Sequence, residues 1–145
     1  MTSARTTSGH CIPFDGIDNP RSYLSKILRY GKVYNNFNSL SLSHRADYVT
    51  ACLDSWLQRI PFGTYNITNP GYISTPQVLE MIQSILKPDR EFTFWESDAD
   101  FYATGALAPR SNCIMDISKL NAAGIQIRTV DEALQSSLEN WTAAK

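Results

Sequence analysis

The sequence predicts an α/β fold in which helices outweigh the strands. Two observations carry this. Segments rich in β-branched and aromatic residues alternate with segments whose apolar residues recur at helical spacing, the pattern of strands and helices in turn. The strand segments are few and short, whereas a self-sufficient doubly wound sheet of this length would show about five well-defined strands. With 145 residues and 43 % hydrophobic content the chain is long enough for one domain.

The elements follow in order. Residues 1–9, polar and rich in Ser and Thr, are expected to be an unstructured leader, with the domain running over 10–145. His10 to Phe14 reads as a short strand. Asn19 and Pro20 supply an N-cap and a first-turn proline for a helix whose Tyr23, Leu24, Ile27 and Leu28 share one face, and Gly31 is placed to end it in a left-handed conformation. Lys32 to Tyr34 is expected to be a strand, residues 35–38 a turn, and Leu40 and Leu42, alternating with serines, a further strand.

Val49, Cys52, Leu53, Trp56, Leu57 and Ile60 form a second helical stripe that Pro61 and Gly63 close. Thr64 to Thr68 is β-rich and ends at the turn signal Asn69-Pro70-Gly71. Ser74 and Gln77 have the spacing of a capping box ahead of Val78, Leu79, Ile82, Ile85 and Leu86, with Lys87-Pro88 as the stop. Phe92, Phe94 and Trp95 suggest a strand and Ser97 to Tyr102 a short helical turn. Asp116 is expected to cap a helix ending at Gly124, and Thr129 with Glu132 to open a last helix that buries Val130, Ala133, Leu134, Leu138 and Trp141.

Composition excludes several function classes. Thirteen Lys plus Arg against fourteen Asp plus Glu give a formal net charge of -1, so no basic surface advertises a nucleic-acid partner. Cys11, Cys52 and Cys113 are far apart, without a CxxC pair, which argues against a disulfide framework or a zinc site. The opening residues hold no apolar signal-peptide core, and no run approaches the ~20 apolar residues of a membrane span. The expectation is a cytoplasmic protein with no membrane partner.

Three stretches carry a family resemblance. They are Lys32-Val33-Tyr34 with the helix start at Asp47-Tyr48-Val49; Gly63 to Gly71 with Ser74 and the helix after it; and Ala108-Pro-Arg-Ser-Asn112 running to Asp116-Ile-Ser-Lys-Leu120, then Gly124 and the helix ending at Trp141. In that order they resemble the C-terminal, substrate-binding half of the extended short-chain dehydrogenases/reductases, the NAD-dependent epimerase/dehydratase family. The Ala-Pro-Arg-Ser-Asn wording is similar to the branch of dTDP-4-dehydrorhamnose reductase and the UDP-4-keto-6-deoxyglucose 3,5-epimerase/4-reductases. The fold so implied is a helix-rich C-terminal portion without the Rossmann N-terminal half.

The resemblance implies roles. Arg110 is assigned to the diphosphate of a nucleotide sugar, where a guanidinium fork gives paired charge-assisted hydrogen bonds, and Asn112 stands beside it. By its residue type alone Arg110 is equally an exposed loop arginine. Asn19 and Arg21, in the loop from Asp15, border the substrate, and Val33 and Tyr34 lie beside the base. The sequence departs from many relatives in carrying Leu40 about where they hold a second phosphate-binding arginine.

Other candidates have plainer explanations. His44-Arg45 ahead of Asp47 sits at a helix start, where Asp47 suits the dipole. Cys113 is read as a small buried thiol, and Asp98 and Asp100 as parts of a capping pattern.

Hydride chemistry in this family needs a GxxGxxG turn that brings the cofactor pyrophosphate to a helix N-terminus. The glycines at 9, 16, 31, 63, 71, 105 and 124 contain no such spacing. It also needs Tyr-xxx-Lys, and no tyrosine here is followed by lysine four residues on. The chain alone is therefore expected to bind no NAD or NADP, the cofactor of the complete enzyme, and to have no catalytic residue. The expected role is the substrate-binding part of an NAD(P)-dependent sugar-nucleotide epimerase or reductase, with a separate Rossmann-half chain as a candidate partner. The alternative is a non-catalytic binding or regulatory subunit of another enzyme.

Overall fold

The computed structural model describes residues 7–9, 12–34, 39–105 and 114–144, and the chain is α/β and helix-rich. In chain order the elements are β1 (Thr7–Gly9), β2 (Ile12–Phe14), α1 (Tyr23–Arg29), β3 (Lys32–Val33), β4 (Ser39–Leu40), β5 (Leu42–His44) and α2 (Arg45–Leu57). There follow β6 (Thr64–Asn66), β7 (Ile73–Ser74), α3 (Thr75–Ile85), β8 (Thr93–Phe94), α4 (Asp98–Thr104), α5 (Ser118–Ala122) and α6 (Val130–Glu139). The strands form two-stranded pairs. β1 with β6, β2 with β5 and β3 with β8 are parallel, and β4 with β7 is antiparallel.

Two apolar clusters hold these pieces together. The larger joins Phe14 of β2, Leu24 and Ile27 of α1 and Leu42 of β5 to the inner faces of α3 and α6. The smaller gathers Ala51 of α2, Tyr65 of β6, Ile67, Ile117, Leu120 and Ile125. Among the described residues no helix is long and apolar enough to cross a membrane.

Both expected capping boxes form. The Ser74 and Gln77 side chains and backbones bond reciprocally at the start of α3, and Thr129 and Glu132 do the same for α6. Ser97 caps α4 by accepting from Asp100 N. Gly71, in the expected turn, and Gly124, after α5, have φ of +94° and +92°, the left-handed region that glycine enters without steric cost.

The structure departs from expectation in several places, each for a physical reason. Thr7–Gly9, inside the stretch expected to be unstructured, forms β1 because its backbone pairs with Thr64–Asn66; composition says nothing about a backbone partner supplied from far along the chain. Helix α1 starts at Tyr23 with Ser22 as N-cap, because the Asn19 side chain is spent one step earlier, accepting from Arg21 N at 2.9 Å in an Asx turn.

Gly31 is not left-handed. The helix leaves through an extended Tyr30, and Arg90 satisfies its last carbonyls, donating to Leu28 O at 2.9 Å and Tyr30 O at 2.7 Å. Asp116 caps α5 from two residues before it, through Ser118 N and Oγ, and Ile117 takes the N-cap position.

Ser41 and Ser43 are the serines that alternate with Leu40 and Leu42. Both are buried, since β5 is covered on both faces, and their hydroxyls take backbone partners: Ser43 donates to Ile67 O and Ser41 accepts from Met115 N. In the second helical stripe Cys52 and Ile60 pack against the smaller cluster. Val49, Leu53, Trp56 and Leu57 point to solvent.

Candidate functional site

The parallel pairing of β2 with β5 determines where a ligand can sit. Its register, Ile12↔Leu42 through Phe14↔His44, brings the carboxyl ends of both strands to one place, and in open α/β sheets that is where ligands bind. The next residue on each strand is charged. Asp15 and Arg45 are thus delivered side by side, and Arg45 Nη2 reaches Asp15 Oδ2 at 2.7 Å.

Beyond this pair opens a cavity of about 300 Å³ lined by Pro13, Phe14, Asp15, Asn19, Arg21, Ser22 and Arg45. Asp15 is buried and its second oxygen is spent on Ile17 N at 3.1 Å, so its charge is balanced inside the protein. Arg21 is exposed, and its guanidinium has no acidic partner among the described residues. The cavity therefore carries one uncompensated positive charge at its mouth. Ser22 also lines the cavity, and its hydroxyl is buried without a hydrogen-bond partner.

The loop that forms this wall is braced from below. Asp18 N donates to Thr142 O and Thr142 N to Gly16 O, both at 2.8 Å, tying it to the segment after α6. Asp18 also holds Arg29 with both oxygens, at 2.7 and 2.8 Å. A hydrogen bond from Ser25, with those from Arg29, outweighs burial and keeps the Asp18 carboxyl below its usual range.

The other wall is fixed by a polar knot at the start of α2. Asn69, 1 % exposed, accepts from His44 N at 2.7 Å and donates to Asp47 Oδ2 at 2.8 Å and Arg128 O at 3.1 Å. Arg128 Nε donates to the same Asp47 oxygen at 2.7 Å. Burial pushes the Asp47 carboxyl up, but the hydrogen bonds from Arg128 and Asn69 and the attraction of His44 and Arg128 prevail and hold it below the usual carboxylate range. These groups satisfy one another, which leaves His44 and Asp47 a structural task. Their knot aims Arg45, one residue on from His44, at the cavity.

Of the residues singled out in the sequence, Asn19 and Arg21 come together here. Val33 and Tyr34 do not line this cavity. Val33 is buried at 2 % exposure in the larger cluster, so its side chain faces the core, and its carbonyl accepts from Trp95 N. Tyr34 stacks on Phe101 at 3.8 Å between ring centroids, and its hydroxyl donates to Asp98 at 3.0 Å. Arg110, Asn112 and Cys113 lie outside the described residues. Arg45, read in the sequence as part of a helix start, also lines the cavity, as does Ser22, which the sequence reading did not single out. The signal that could have found Arg45 is a strand register, which a single sequence does not display.

No family model matches the chain. Over 118 residues, 81 % of its length, it is 34 % identical to a trifunctional UDP-glucose 4,6-dehydratase/UDP-4-keto-6-deoxy-D-glucose 3,5-epimerase/UDP-4-keto-L-rhamnose-reductase of Arabidopsis thaliana, and spans 17 % of that protein. It is 32 % identical over 118 residues to the bifunctional dTDP-4-dehydrorhamnose 3,5-epimerase/dTDP-4-dehydrorhamnose reductase of the same plant, spanning 38 % of it. Among solved structures, the L780 UDP-rhamnose synthase of Acanthamoeba polyphaga mimivirus has a TM-score of 0.79 at 22 % identity, over 93 % of this chain and 45 % of that one.

The chain has the fold of the C-terminal part of an extended short-chain dehydrogenase/reductase. Its homologues are sugar-nucleotide reductases and epimerases of the rhamnose-forming branch, as the three stretches of sequence suggested. A second structure of this fold, dTDP-4-dehydrorhamnose reductase from Bacillus anthracis, was solved with NADP and has a TM-score of 0.64 at 17 % identity, over 90 % of this chain and 45 % of that one. The chain thus spans less than half the length of these extended short-chain dehydrogenases/reductases.

Among the described residues no glycine-rich turn opens onto α2, α3 or α6. A pyrophosphate needs a glycine-rich turn opening onto a helix N-terminus with free N–H groups. The three longest helices, α2, α3 and α6, close their own N-termini with the side chains of His44, Ser74 and Thr129, and no glycine-rich turn precedes them.

Proposed function

We propose that this chain is the substrate-binding portion of an NAD(P)-dependent sugar-nucleotide epimerase or reductase, acts in the cytoplasm, and has neither a bound dinucleotide nor a catalytic residue of its own. The observation that carries the reading is the cavity at the carboxyl ends of β2 and β5, lined by Asn19, Arg21 and Arg45 among others. Its size suits a hexose with an adjoining phosphate, and its charge suits an anionic ligand. NAD(P)H bound to the complete enzyme would supply the hydride. The residues of this chain bind and orient the sugar.

In this reading Asn19 offers hydrogen bonds to sugar hydroxyls, while Arg21 and Arg45 attract the diphosphate, the group to which the family resemblance assigns Arg110 and Asn112. Asp15 keeps Arg45 in place and partly neutralises it, so that the nucleotide sugar is held without being trapped.

Calorimetric titration of the purified chain with UDP-glucose and with dTDP-rhamnose tests this. Loss of a hydrogen bond to a charged group costs about 1.5–3 kcal/mol, so Arg21→Ala and Arg45→Ala should each weaken binding by roughly 10- to 100-fold. Absence of binding to either compound, or affinity that neither substitution changes, overturns the reading. Micromolar affinity for NADPH overturns the second half of it.

A further inference from the structure

The extended segment through β8 carries aromatic side chains on both of its faces, and α4 meets one of them. Trp95 packs edge-on against the Phe101 ring of α4, with 5.9 Å between centroids, and Lys32 Nζ lies 4.9 Å over its indole. Phe92 and Phe94, two residues apart and so on one side of an extended chain, turn the other way, towards α3. Between them and the helix lies an open groove of about 710 Å³, a volume within the range of ligand sites.

The floor of this groove is apolar and its rim is acidic. Leu79, 4 % exposed, belongs to the larger cluster and Phe92 packs against it, so the floor is anchored in the core before any ligand arrives, while Phe94 is left 37 % exposed. The helical wall is the ridge of α3 that runs from Pro76 through Leu79 and Glu80 to Gln83. Glu80 on this wall and Glu91 on the other are both exposed, and neither takes part in an ion pair among the described residues. No lysine or arginine lines the groove. Arg90, 5.0 Å over the Phe92 ring, spends its guanidinium on Leu28 O and Tyr30 O.

We propose that this groove docks a peptide segment of a partner protein in which an apolar side chain is flanked by lysine or arginine. The apolar side chain rests on Leu79, Phe92 and Phe94, and the flanking cations meet Glu80 on one wall and Glu91 on the other, where the phenylalanine rings add a cation–π surface. The ridge from Pro76 to Gln83 is about 10 Å long at 1.5 Å per residue. That is the span of about three extended residues, so a length of chain fills the groove where a compact cation does not. The two carboxylates repel an anionic ligand, and the groove shares no lining residue with the β2–β5 cavity, so this proposal stands apart from the function proposed above.

Fluorescence anisotropy of the labelled peptide KRLFKR, titrated with the 145-residue chain, tests this. Saturable binding is expected, weaker by about tenfold or more for KRSGKR, which lacks the apolar anchor, and for EDLFED, which reverses the charge. Reversing the rim with Glu80→Lys and Glu91→Lys together should weaken KRLFKR by roughly tenfold and strengthen EDLFED, whereas Glu139→Lys, outside the groove, should change neither. The exchange of preference is a gain that an unfolded variant cannot show. The milder pair Glu80→Gln and Glu91→Gln should weaken KRLFKR without that gain.

Absence of saturable binding, equal affinity for the three peptides, or KRLFKR binding indifferent to both rim substitutions overturns the proposal. So does a dimer of the chain alone, seen by sedimentation, that the charge reversal dissociates, since the groove then seats a second copy. Displacement of KRLFKR by an equimolar amount of spermine assigns the rim to small polycations and overturns it as well.

Discussion

Replacing Gly16 by alanine puts a methyl group into the backbone of α6. A Cβ at this position would lie 2.7 Å from Ser137 O and 3.3 Å from Ser137 Cα, and neither atom belongs to a flexible side chain that could swing away. The 15–19 loop or the helix must move. The loop is tied down on the same side by the bonds that link Gly16 and Asp18 to Thr142, each worth about 0.5–1.5 kcal/mol net, and a shift large enough to relieve the clash stretches both. Overpacking of this kind costs about 1–3 kcal/mol. Taking about 2 kcal/mol as the centre, the melting temperature should fall by roughly 4–10 °C for a domain of this size.

Gly31→Ala is the matched control, because a Cβ there meets nothing within 4 Å and the backbone is not left-handed. It should be neutral or stabilise by about 0.4–1 kcal/mol through the unfolded chain. Thermal melts of the two variants beside the wild type, followed by circular dichroism, decide the matter. Equal melting temperatures for Gly16→Ala and wild type would refute the close approach of loop and helix on which the shape of the cavity depends.

Asp47→Asn should destabilise the chain by about 1.5–3 kcal/mol at neutral pH, since Arg128 and Asn69 lose a charged acceptor, as urea titration would register. The Asp47 carboxyl is held below its usual value in the folded state, so its contribution is complete above the unfolded value of about 3.9 and is lost as pH falls below it. The wild type should therefore lose more stability than Asp47→Asn between pH 5 and about 2, and parallel pH profiles would contradict the assignment. Burial pushes the Tyr23 hydroxyl up to about 12. Its contribution is complete below the unfolded value of about 10 and is lost as pH rises towards 12, so Tyr23→Phe should flatten the alkaline limb of the stability profile.

What was legible in the sequence was local. Ser74 with Gln77 and Thr129 with Glu132 lie within one turn of each other, and the bonds they make need no knowledge of the rest of the chain. Gly71 could be placed because the Asn69-Pro70-Gly71 turn demands a residue tolerant of positive φ. The homologous branch was legible for a different reason, the order and spacing of three stretches, which the Arabidopsis relatives share at 32 to 34 % identity.

What was not legible depended on partners far apart in sequence. Arg45 enters the site through the register of β2 on β5, and Ser41 and Ser43 are buried because β5 is covered on both sides. Gly31 was assigned the task of ending α1, a task Arg90 performs from sixty residues away. The stripe on α2 is apolar, but periodicity cannot tell a face that meets its own core from one that points to solvent. The strand of Val33 was placed beside the base by family resemblance, and the Val33 side chain lies in the core.

The claim that the β2–β5 cavity holds a nucleotide sugar is tested most directly by amide chemical-shift mapping of the 145-residue chain during titration with UDP-glucose. Saturable shifts concentrated at Asn19, Arg21, Ser22 and Arg45, with Tyr72 unmoved, are the result expected. Saturable shifts that spare those four residues, or a spectrum indifferent to the ligand, would contradict it.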